Sequence, residues 1–316
     1  MPFQSLRIEA SSHCQLKCPR CPTGLGKTKS GVVGGGYLRA ADFESFISQH
    51  PEIKQIEFSN WGEIFLNPEL ARIIEFTYAH NISMSARNGV NLNHITDAQI
   101  EALVRCKFGL LSVSIDGASE ETYQAYRKGG SFNQVIRNVE RINHKKRQYA
   151  SMYPKLRWQF IVFGHNEHEL GKAQSMAQQL EMEFYVKLNA SPDYSPIVDS
   201  SMVRQYVKEG VASRSEYKVV HKKPYSLPCR QLWDQPQINW DGKLLGCCVN
   251  VYGDFGNVFE TSLEACVASP GYLKAKAVVT GEEAADPNCP CYYCPVYRND
   301  IMPKFSITPR KRRQDE

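Results

Sequence analysis

The chain contains 316 residues, of which 42% are hydrophobic and 22% are charged, and its formal net charge is +5. These proportions are typical of a water-soluble globular protein. The N-terminus has no apolar signal segment, and no stretch approaches the ~20 apolar residues of a membrane span, so we expect a cytoplasmic protein without membrane contact. Part of the positive charge lies in the terminal PRKRRQDE. No base-reading motif accompanies it, so nucleic acid is not an expected partner.

Short apolar stretches alternate with segments of helical periodicity from residue 7 to about residue 189. Predicted strands occupy residues 6–10, 53–59, 82–87, 110–116, 156–163 and 184–189. Predicted helices occupy residues 43–47, 69–79, 98–106, 132–142 and 169–180. Strands separated by helices predict βαβ units and a parallel sheet. We therefore predict an α/β fold, a partial (βα)6 TIM-like barrel over residues 1–190, whose functional face lies at the carboxyl ends of the strands.

Two further regions follow this predicted barrel. Residues 191–228 are polar and rich in proline and serine, which predicts a linker or an irregular wrap. Residues 229–296 contain short strand-like pieces and six cysteines. A unit of this size can hardly bury a hydrophobic core of its own, so we predict that a metal centre stabilises its fold. Residues 297–316 are predicted to form a basic tail.

The cysteines are grouped along the chain. Eleven cysteines in a reducing compartment indicate metal or cluster binding rather than disulfides. Three of them, Cys14, Cys18 and Cys21, come directly after the first predicted strand. Cys106 and Cys266 stand alone and are predicted to be small buried side chains on helices.

The first group offers three thiolates on one loop. A structural zinc ion needs four ligands. Three thiolates suit a [4Fe–4S] cluster that leaves one iron open to a small molecule. A zinc site completed by a remote histidine such as His13 is the alternative interpretation.

The spacing Cys-x3-Cys-x2-Cys after the first strand of a predicted βα barrel resembles the radical S-adenosylmethionine (SAM) superfamily. The resemblance implies that Cys14, Cys18 and Cys21 hold a [4Fe–4S] cluster whose open iron binds SAM. In that family an electron from the cluster cleaves SAM to methionine and a 5′-deoxyadenosyl radical. This radical then abstracts a hydrogen atom from the substrate.

Five further positions match the family in chain order. Gly62 and Glu63 follow the second strand in the sequence WGE, which is similar to the family's Gly-Gly-Glu, and the resemblance implies that they receive the SAM ammonium. Asn88 ends the third strand in an Asn-Gly pair like that of the family. Ser114 on the fourth strand and Arg127 in the next helix resemble the pair that holds the SAM carboxylate and ribose.

The second group of cysteines resembles the auxiliary-cluster extension of radical SAM enzymes called SPASM, or its shortened form, twitch. The chain has no cysteine after Cys294, which favours the twitch form with one auxiliary [4Fe–4S] cluster. The resemblance implies ligation by Cys229, Cys247, Cys291 and Cys294, with Cys289 as the alternative to Cys291. Zinc bound by four thiolates is the other interpretation of this group.

Cys248 adjoins one of these predicted ligands and has no ligand role itself. In superfamily epimerases a cysteine thiol returns a hydrogen atom to the substrate radical, and Cys248 is the candidate for that role. A buried thiol without function is the alternative. The spacing of the four predicted ligands is similar to that of aminocyclitol-oxidising twitch dehydrogenases, which favours an oxidoreductase.

The resemblance therefore implies a radical SAM enzyme that oxidises a sugar-like, aminocyclitol-like or peptide substrate, with the auxiliary cluster as electron acceptor. It also implies an external one-electron donor such as flavodoxin or ferredoxin. Epimerisation through Cys248 is the alternative within the same chemistry. A zinc- or cluster-stabilised binding protein without catalysis is the alternative from another class. The sequence does not identify the substrate, the catalytic base or the oligomeric state.

Overall fold

The computed structural model describes residues 3–301 of the chain. The described strands are β1 Ser5–Ile8, β2 Gln55–Glu57, β3 Ser83–Val90, β4 Leu110–Ser114, β5 Lys155–Val162, β6 Glu183–Leu188 and β7 Gln237–Ile238. The described α-helices are α1 Ala40–Ser48, α2 Leu70–Ala79, α3 Asp97–Arg105, α4 Glu120–Tyr126, α5 Phe132–Gln148, α6 Leu170–Gln179, α7 Ser200–Tyr206, α8 Arg214–His221, α9 Gln231–Asp234, α10 Leu263–Ala268 and α11 Pro270–Thr280.

The strands form one parallel sheet in the order β6-β5-β4-β3-β2-β1-β7. The six predicted strands and the parallel α/β fold are confirmed. The seventh strand comes from the C-terminal region and was not expected in this sheet. It pairs with β1, where Arg7 lies opposite Gln237. An unpaired edge would leave the backbone groups of β1 without partners, so β7 satisfies one side of that strand.

The two faces of the sheet differ in character because side chains alternate along each strand. On β5, Trp158 and Phe160 are fully buried beneath the helices. The opposite, inner face is largely polar. Register places Ser114, Gln159 and Tyr185 in one row across β4, β5 and β6, and the next row towards the carboxyl ends includes Lys187. The inner face is therefore the one that can receive a polar ligand.

Local capping fixes where several helices begin. Thr96 and Gln99 form a capping box at the start of α3. Ser119 and Ser131 accept backbone N–H bonds at the starts of α4 and α5. Such side chains satisfy backbone donors that have no partner within the helix. Cys106 and Cys266 are buried, as predicted.

The C-terminal region packs against the same core as the sheet. Leu232, Phe255 and Tyr272 belong to one apolar cluster with the residues beneath the strands. Residues 191–228 contain α7 and α8 in addition to irregular chain. Of the predicted basic tail, residues 297–301 form a helical turn and residues 302–316 lie outside the described part. Among residues 3–301, no helix is long and apolar enough to span a bilayer.

Candidate active site

The first cysteine group lies on the loop between β1 and α1, at the carboxyl end of β1. Cys18 is buried, while Cys14 and Cys21 are partly exposed. The loop turns tightly, since the Cys21 N–H donates to the Cys18 carbonyl at 3.2 Å. It then passes back over itself at Gly24, where a Cβ would come within 2.8 Å of the Cys18 backbone. Sequence and local turn therefore bring the three thiols together.

The spacing of the thiols distinguishes a cluster from a single metal ion. The pKa of Cys14 is raised to about 12, mainly by burial and then by the charge of Glu63. Cys18 and Cys21 contribute to the same shift, because they lie near Cys14. Within residues 3–301, however, neither cysteine group has three sulfur atoms that all lie within 4.8 Å of one another. A zinc ion at ~2.3 Å from each sulfur would bring them to roughly 3.8 Å. The wider spacing fits a multi-iron cluster better than zinc.

Two polar side chains point at these thiols. Asn91 Nδ2 lies 3.5 Å from Cys14 Sγ, and Arg127 Nη1 lies 4.0 Å from Cys18 Sγ. Arg127 also donates through Nε to Asp116 Oδ2 at 2.6 Å. Donors beside a thiolate stabilise its negative charge. Neither Asn91 nor Asp116 belongs to a motif that the sequence analysis recognised, because each acts through its position at a strand end.

Gly62 and Glu63 join the second strand to the cysteine loop. The Glu63 N–H donates to the His13 carbonyl at 2.7 Å. The Glu63 carboxylate is buried and accepts the Asn91 N–H at 2.5 Å, and burial raises its pKa to about 7. It thus holds the end of β3 beside Cys14. The predicted contact of Gly62 and Glu63 with the SAM ammonium stays a prediction.

Replacing Gly62 with alanine is expected to destabilise this junction. A Cβ at Gly62 would lie 2.2 Å from the Ser11 carbonyl oxygen and 2.6 Å from that of His13, so backbone must move. We expect the free energy of unfolding to fall by about 1–3 kcal/mol, measured as a shift of the urea midpoint. Gly31→Ala is the matched control because its Cβ would meet only the Val251 carbonyl, at 3.5 Å. Equal shifts in the two variants would contradict the packing argument.

Asn88 and Ser114 both lie near the inner face, and their side chains form hydrogen bonds with different partners. The Asn88 side chain donates to Asn60 at 3.3 Å, while Ser114 Oγ accepts from Gln159 Nε2 at 3.2 Å. Gly89 separates them, and a Cβ there would lie 2.3 Å from Ser114 Oγ. Arg127, the predicted partner of Ser114 in holding SAM, is paired with Asp116 instead. The roles of Asn88, Ser114 and Arg127 towards SAM stay predictions.

An aromatic group adjoins the first cysteine group. Tyr126 and Phe163 belong to a buried cluster that contains Cys18, and their ring centroids are 4.6 Å apart. Tyr194 packs on both rings, and Arg20 lies over its face at 5.7 Å. His165 stacks on Phe163 at 5.2 Å, and its buried Nε2 has no partner within residues 3–301. These rings offer flat surfaces beside the cysteine loop.

The second cysteine group lines one small cavity of the C-terminal region. Its thiols come from the turn before α9, from the loop after β7 and from the turn after α11: Cys229, Cys247, Cys291 and Cys294. Leu232, Phe255 and Val279 complete an otherwise apolar wall. Burial raises the pKa of Cys229 to about 12. Four thiols around one apolar cavity are a donor set that an iron–sulfur cluster requires.

The cavity distinguishes Cys291 from its neighbour Cys289. Cys291 lines the cavity, whereas Cys289 does not and shares a hydrogen bond with Cys291. Cys291→Ser is therefore expected to lower iron from about eight to about four atoms per chain, as one [4Fe–4S] cluster is lost. Cys289→Ser is the matched control and should retain the iron, which anaerobic metal analysis measures. The reverse result would assign the ligand role to Cys289.

Cys248 lies between the second group and the inner face of the sheet. It does not line the cavity. Its N–H donates to Gln231 Oε1 at 2.6 Å, and its carbonyl accepts from Asn60 Nδ2 at 3.1 Å. Asn60 follows β2, so Cys248 is tied to the barrel as well as to the C-terminal region. A negative charge on Cys248 raises the pKa of Lys187 on β6 and that of Cys247.

Comparison with known proteins agrees with this geometry. Residues 229–295 match the SPASM model, described as an iron–sulfur cluster-binding domain. The structure of SuiB from Streptococcus suis bound to S-adenosylmethionine superimposes with a TM-score of 0.65 and covers 93% of this chain and 71% of that one, at 15% identity. Residues 229–295 therefore form a SPASM-type domain, and the described chain has the fold of this SAM-bound neighbour.

Two other proteins are similar to this chain. The mycofactocin maturase MftC of Mycobacterium ulcerans is 24% identical over 177 residues, which are 55% of this chain and 44% of that protein. The chain thus matches less than half the length of this curated relative. The structure of BtrN in complex with AdoMet and 2-DOIA has a TM-score of 0.51, at 12% identity, and covers 90% of this chain and 91% of that one.

The SPASM match indicates an auxiliary iron–sulfur cluster in the C-terminal region. The donor sets fit iron–sulfur clusters, since three thiols without a fourth lie on the N-terminal loop and four line the C-terminal cavity.

Proposed function

We propose that this chain is a radical SAM enzyme that oxidises a C–H bond of a bound substrate, with Cys14, Cys18 and Cys21 holding the SAM cluster. The observation that carries the proposal is that both cysteine groups are tied by hydrogen bonds to residues at the carboxyl ends of the strands. Asp116 and Arg127 connect that end of the sheet to Cys18. Cys248 connects it to the C-terminal group. A substrate at this end has one cluster site on either side.

When bound, the first cluster and SAM supply the 5′-deoxyadenosyl radical that removes a hydrogen atom from the substrate. The chain's own residues prepare that site. Asn91 and Arg127 stabilise the thiolates of Cys14 and Cys18. The rings of Tyr126 and Phe163 close one side of the loop against water. Radical chemistry requires such exclusion, since water and oxygen divert reactive intermediates.

The oxidation removes one hydrogen atom, one proton and one electron in total. Cys229, Cys247, Cys291 and Cys294 would hold the auxiliary cluster as the acceptor of that electron. These four thiols and apolar side chains line the cavity. Full thiolate ligation leaves no iron for substrate, which favours an electron-transfer role. An external one-electron donor, such as flavodoxin or ferredoxin, would supply the first cluster.

A peptide is the substrate class that we favour. SuiB has been crystallised with its precursor peptide SuiA, and MftC is named a maturase. BtrN was crystallised with the small molecule 2-DOIA, so an aminocyclitol-like or sugar-like substrate is the alternative. The TM-score is higher for SuiB, at 0.65, than for BtrN, at 0.51, which supports a peptide substrate.

Epimerisation is the second candidate reaction, and the position of Cys248 favours it. The Cys248 backbone is held by Gln231 and by Asn60, and Asn60 follows β2 at the carboxyl end of the sheet. A thiol in that position can return a hydrogen atom to a substrate radical. In that step an S–H bond breaks and a C–H bond forms, which leaves a thiyl radical on Cys248. One electron, from the external donor by way of a cluster, and one proton would then restore the thiol.

The test begins with the full chain, purified without oxygen and reconstituted. We expect about eight irons per chain, and 5′-deoxyadenosine and methionine on addition of SAM and reductant. Failure to cleave SAM with both clusters present would overturn the proposal. Candidate peptides are then treated in D2O. An oxidised product loses two hydrogens, whereas an epimerised product gains one deuterium, and Cys248→Ala should abolish only the latter.

A further inference from the structure

Two cations on the inner side of the barrel lack an anionic partner. Lys187 lies on the inner face of β6, opposite Ile161 of β5, and is partly buried. Arg214 begins α8 and donates through Nε to the Leu188 carbonyl at 3.1 Å. Within residues 3–301, no ion pair includes either side chain.

The two cations are close enough to repel each other. Burial, with the positive charges of Arg214 and Arg127, lowers the pKa of Lys187 to about 8. Asp116 and Cys248 act in the opposite direction but do not compensate it, because Asp116 is already bonded to Arg127. Buried charges without a partner are costly and cluster at sites that bind ligands.

Two other cations near this face have hydrogen-bond partners for their side chains. Arg157 of β5 points to the same side and bonds Glu183 at 2.9 Å. Arg7 of β1 donates to Gln237 Oε1 and to the Ser59 carbonyl, both at 3.0 Å. For Lys187 Nζ the described part of the chain offers no such acceptor. The inner face thus has a local excess of positive charge beside α8.

The location of this excess agrees with a substrate subsite. Ile161, the neighbour of Lys187 across the sheet, packs on the cluster of Cys18, Tyr126 and Phe163. On the other side, Cys248 acts on Lys187 through its charge. Lys187 therefore lies between the two cysteine groups, where the proposed reaction requires the substrate.

We propose that Lys187 and Arg214 bind a carboxylate of the substrate, an acidic side chain or the C-terminus of a peptide. The inference rests on the proposed function, whose substrate it specifies as anionic. The fork of an arginine and the ammonium of a lysine are suited to hold the two oxygens of one carboxylate. The aromatic face of Tyr225 supports Arg214, whose guanidinium lies 4.9 Å from the ring centroid.

The test measures binding without turnover, in the reconstituted full chain without reductant. Glutarate is the probe, and its neutral analogue glutaramide is the control ligand. We expect calorimetry to show binding of glutarate alone, and Lys187→Gln to weaken it about 10- to 100-fold. Arg157→Gln is the matched control variant and should leave binding unchanged. Absence of glutarate binding to the wild type, or equal binding to Lys187→Gln, would overturn the proposal.

SAM carries a carboxylate as well, so its affinity is measured in the same variants. Unchanged SAM binding in Lys187→Gln supports a substrate subsite. A parallel loss of SAM affinity would assign the cations to SAM and overturn the inference. Because neither measurement needs SAM cleavage, the proposed function can fail in its own assay while the carboxylate site is confirmed, and the reverse also holds.

The pH dependence gives a second readout. Lys187 loses its proton as pH rises through about 8, so glutarate affinity should fall above that pH, by at most about tenfold per pH unit. Arg214 and Arg127 keep their charges in this range. Lys187→Arg should therefore retain binding at pH 9, where the wild type has lost much of it. An identical pH profile in both proteins would contradict a contact between Lys187 and the anion.

Discussion

Replacing Cys18 with alanine is expected to abolish SAM cleavage. Cys18 is the buried member of the first group, and Arg127 points at its sulfur. With two thiols left, the cluster loses a ligand that no neighbouring cysteine can replace, since the second group lies around its own cavity. Enzymes accelerate reactions by at least ~10⁶-fold, and here that acceleration depends on the cluster. We expect 5′-deoxyadenosine formation to fall at least about 1000-fold.

Cys106→Ala is the matched control for this variant. Cys106 is also buried, but it lies at the end of α3 and belongs to neither cysteine group. The control should keep about eight irons per chain, whereas Cys18→Ala should keep about four, those of the auxiliary site. SAM cleavage by Cys18→Ala at the wild-type rate would show that the first group does not hold the cluster.

Replacing Asp116 with alanine is expected to cause a large loss of stability. Its side chain is fully buried, and its two oxygens accept from Arg127 Nε at 2.6 Å and from the Ile161 N–H at 2.8 Å. Removing the carboxylate leaves the Arg127 guanidinium, 13% exposed, without its charge partner. Breaking a buried pair in this way costs about 3–5 kcal/mol. The urea midpoint of unfolding measures the effect.

An exposed ion pair between α5 and the turn after α6 provides the control. Arg147 and Glu181 are 62% and 59% exposed and lie 3.0 Å apart. Arg147→Ala should change the free energy of unfolding by no more than about 1 kcal/mol, because water solvates the remaining charge. If Asp116→Ala and Arg147→Ala shifted the midpoint equally, burial of the Asp116–Arg127 pair would not explain the position of Asp116.

Much of the fold could be predicted from the sequence because local patterns determine it. The strands beneath the helices are runs of apolar side chains, as at Trp158 and Phe160 in β5, and each of the six was located to within a few residues. The cysteine spacing likewise located both groups. Short helices such as α4 and α10 were missed, since six or seven residues do not establish a helical period.

The contacts that complete the site could not be predicted in this way, because they join residues far apart in sequence. Arg127 meets Cys18, 109 positions away, only because α4 follows β4 at the edge where the cysteine loop lies. Lys187 is a candidate anion-binding residue because Arg214 lies near it and because Arg157, unlike Lys187, is paired with a carboxylate, that of Glu183. The addition of β7 to the sheet depends on a pairing of Arg7 with Gln237 across 230 positions.

That pairing has a consequence for how the protein is made. A ribosome releases β1 first, yet its partner strand on one side is Gln237–Ile238. Until three quarters of the chain has emerged, the outer edge of β1 and the loop carrying the first cysteines have no neighbour from the C-terminal region. Contacts of such long range slow folding, and exposed strand edges favour aggregation. Iron–sulfur assembly at the N-terminal loop is therefore best completed once β7 has emerged and closed the edge beside it.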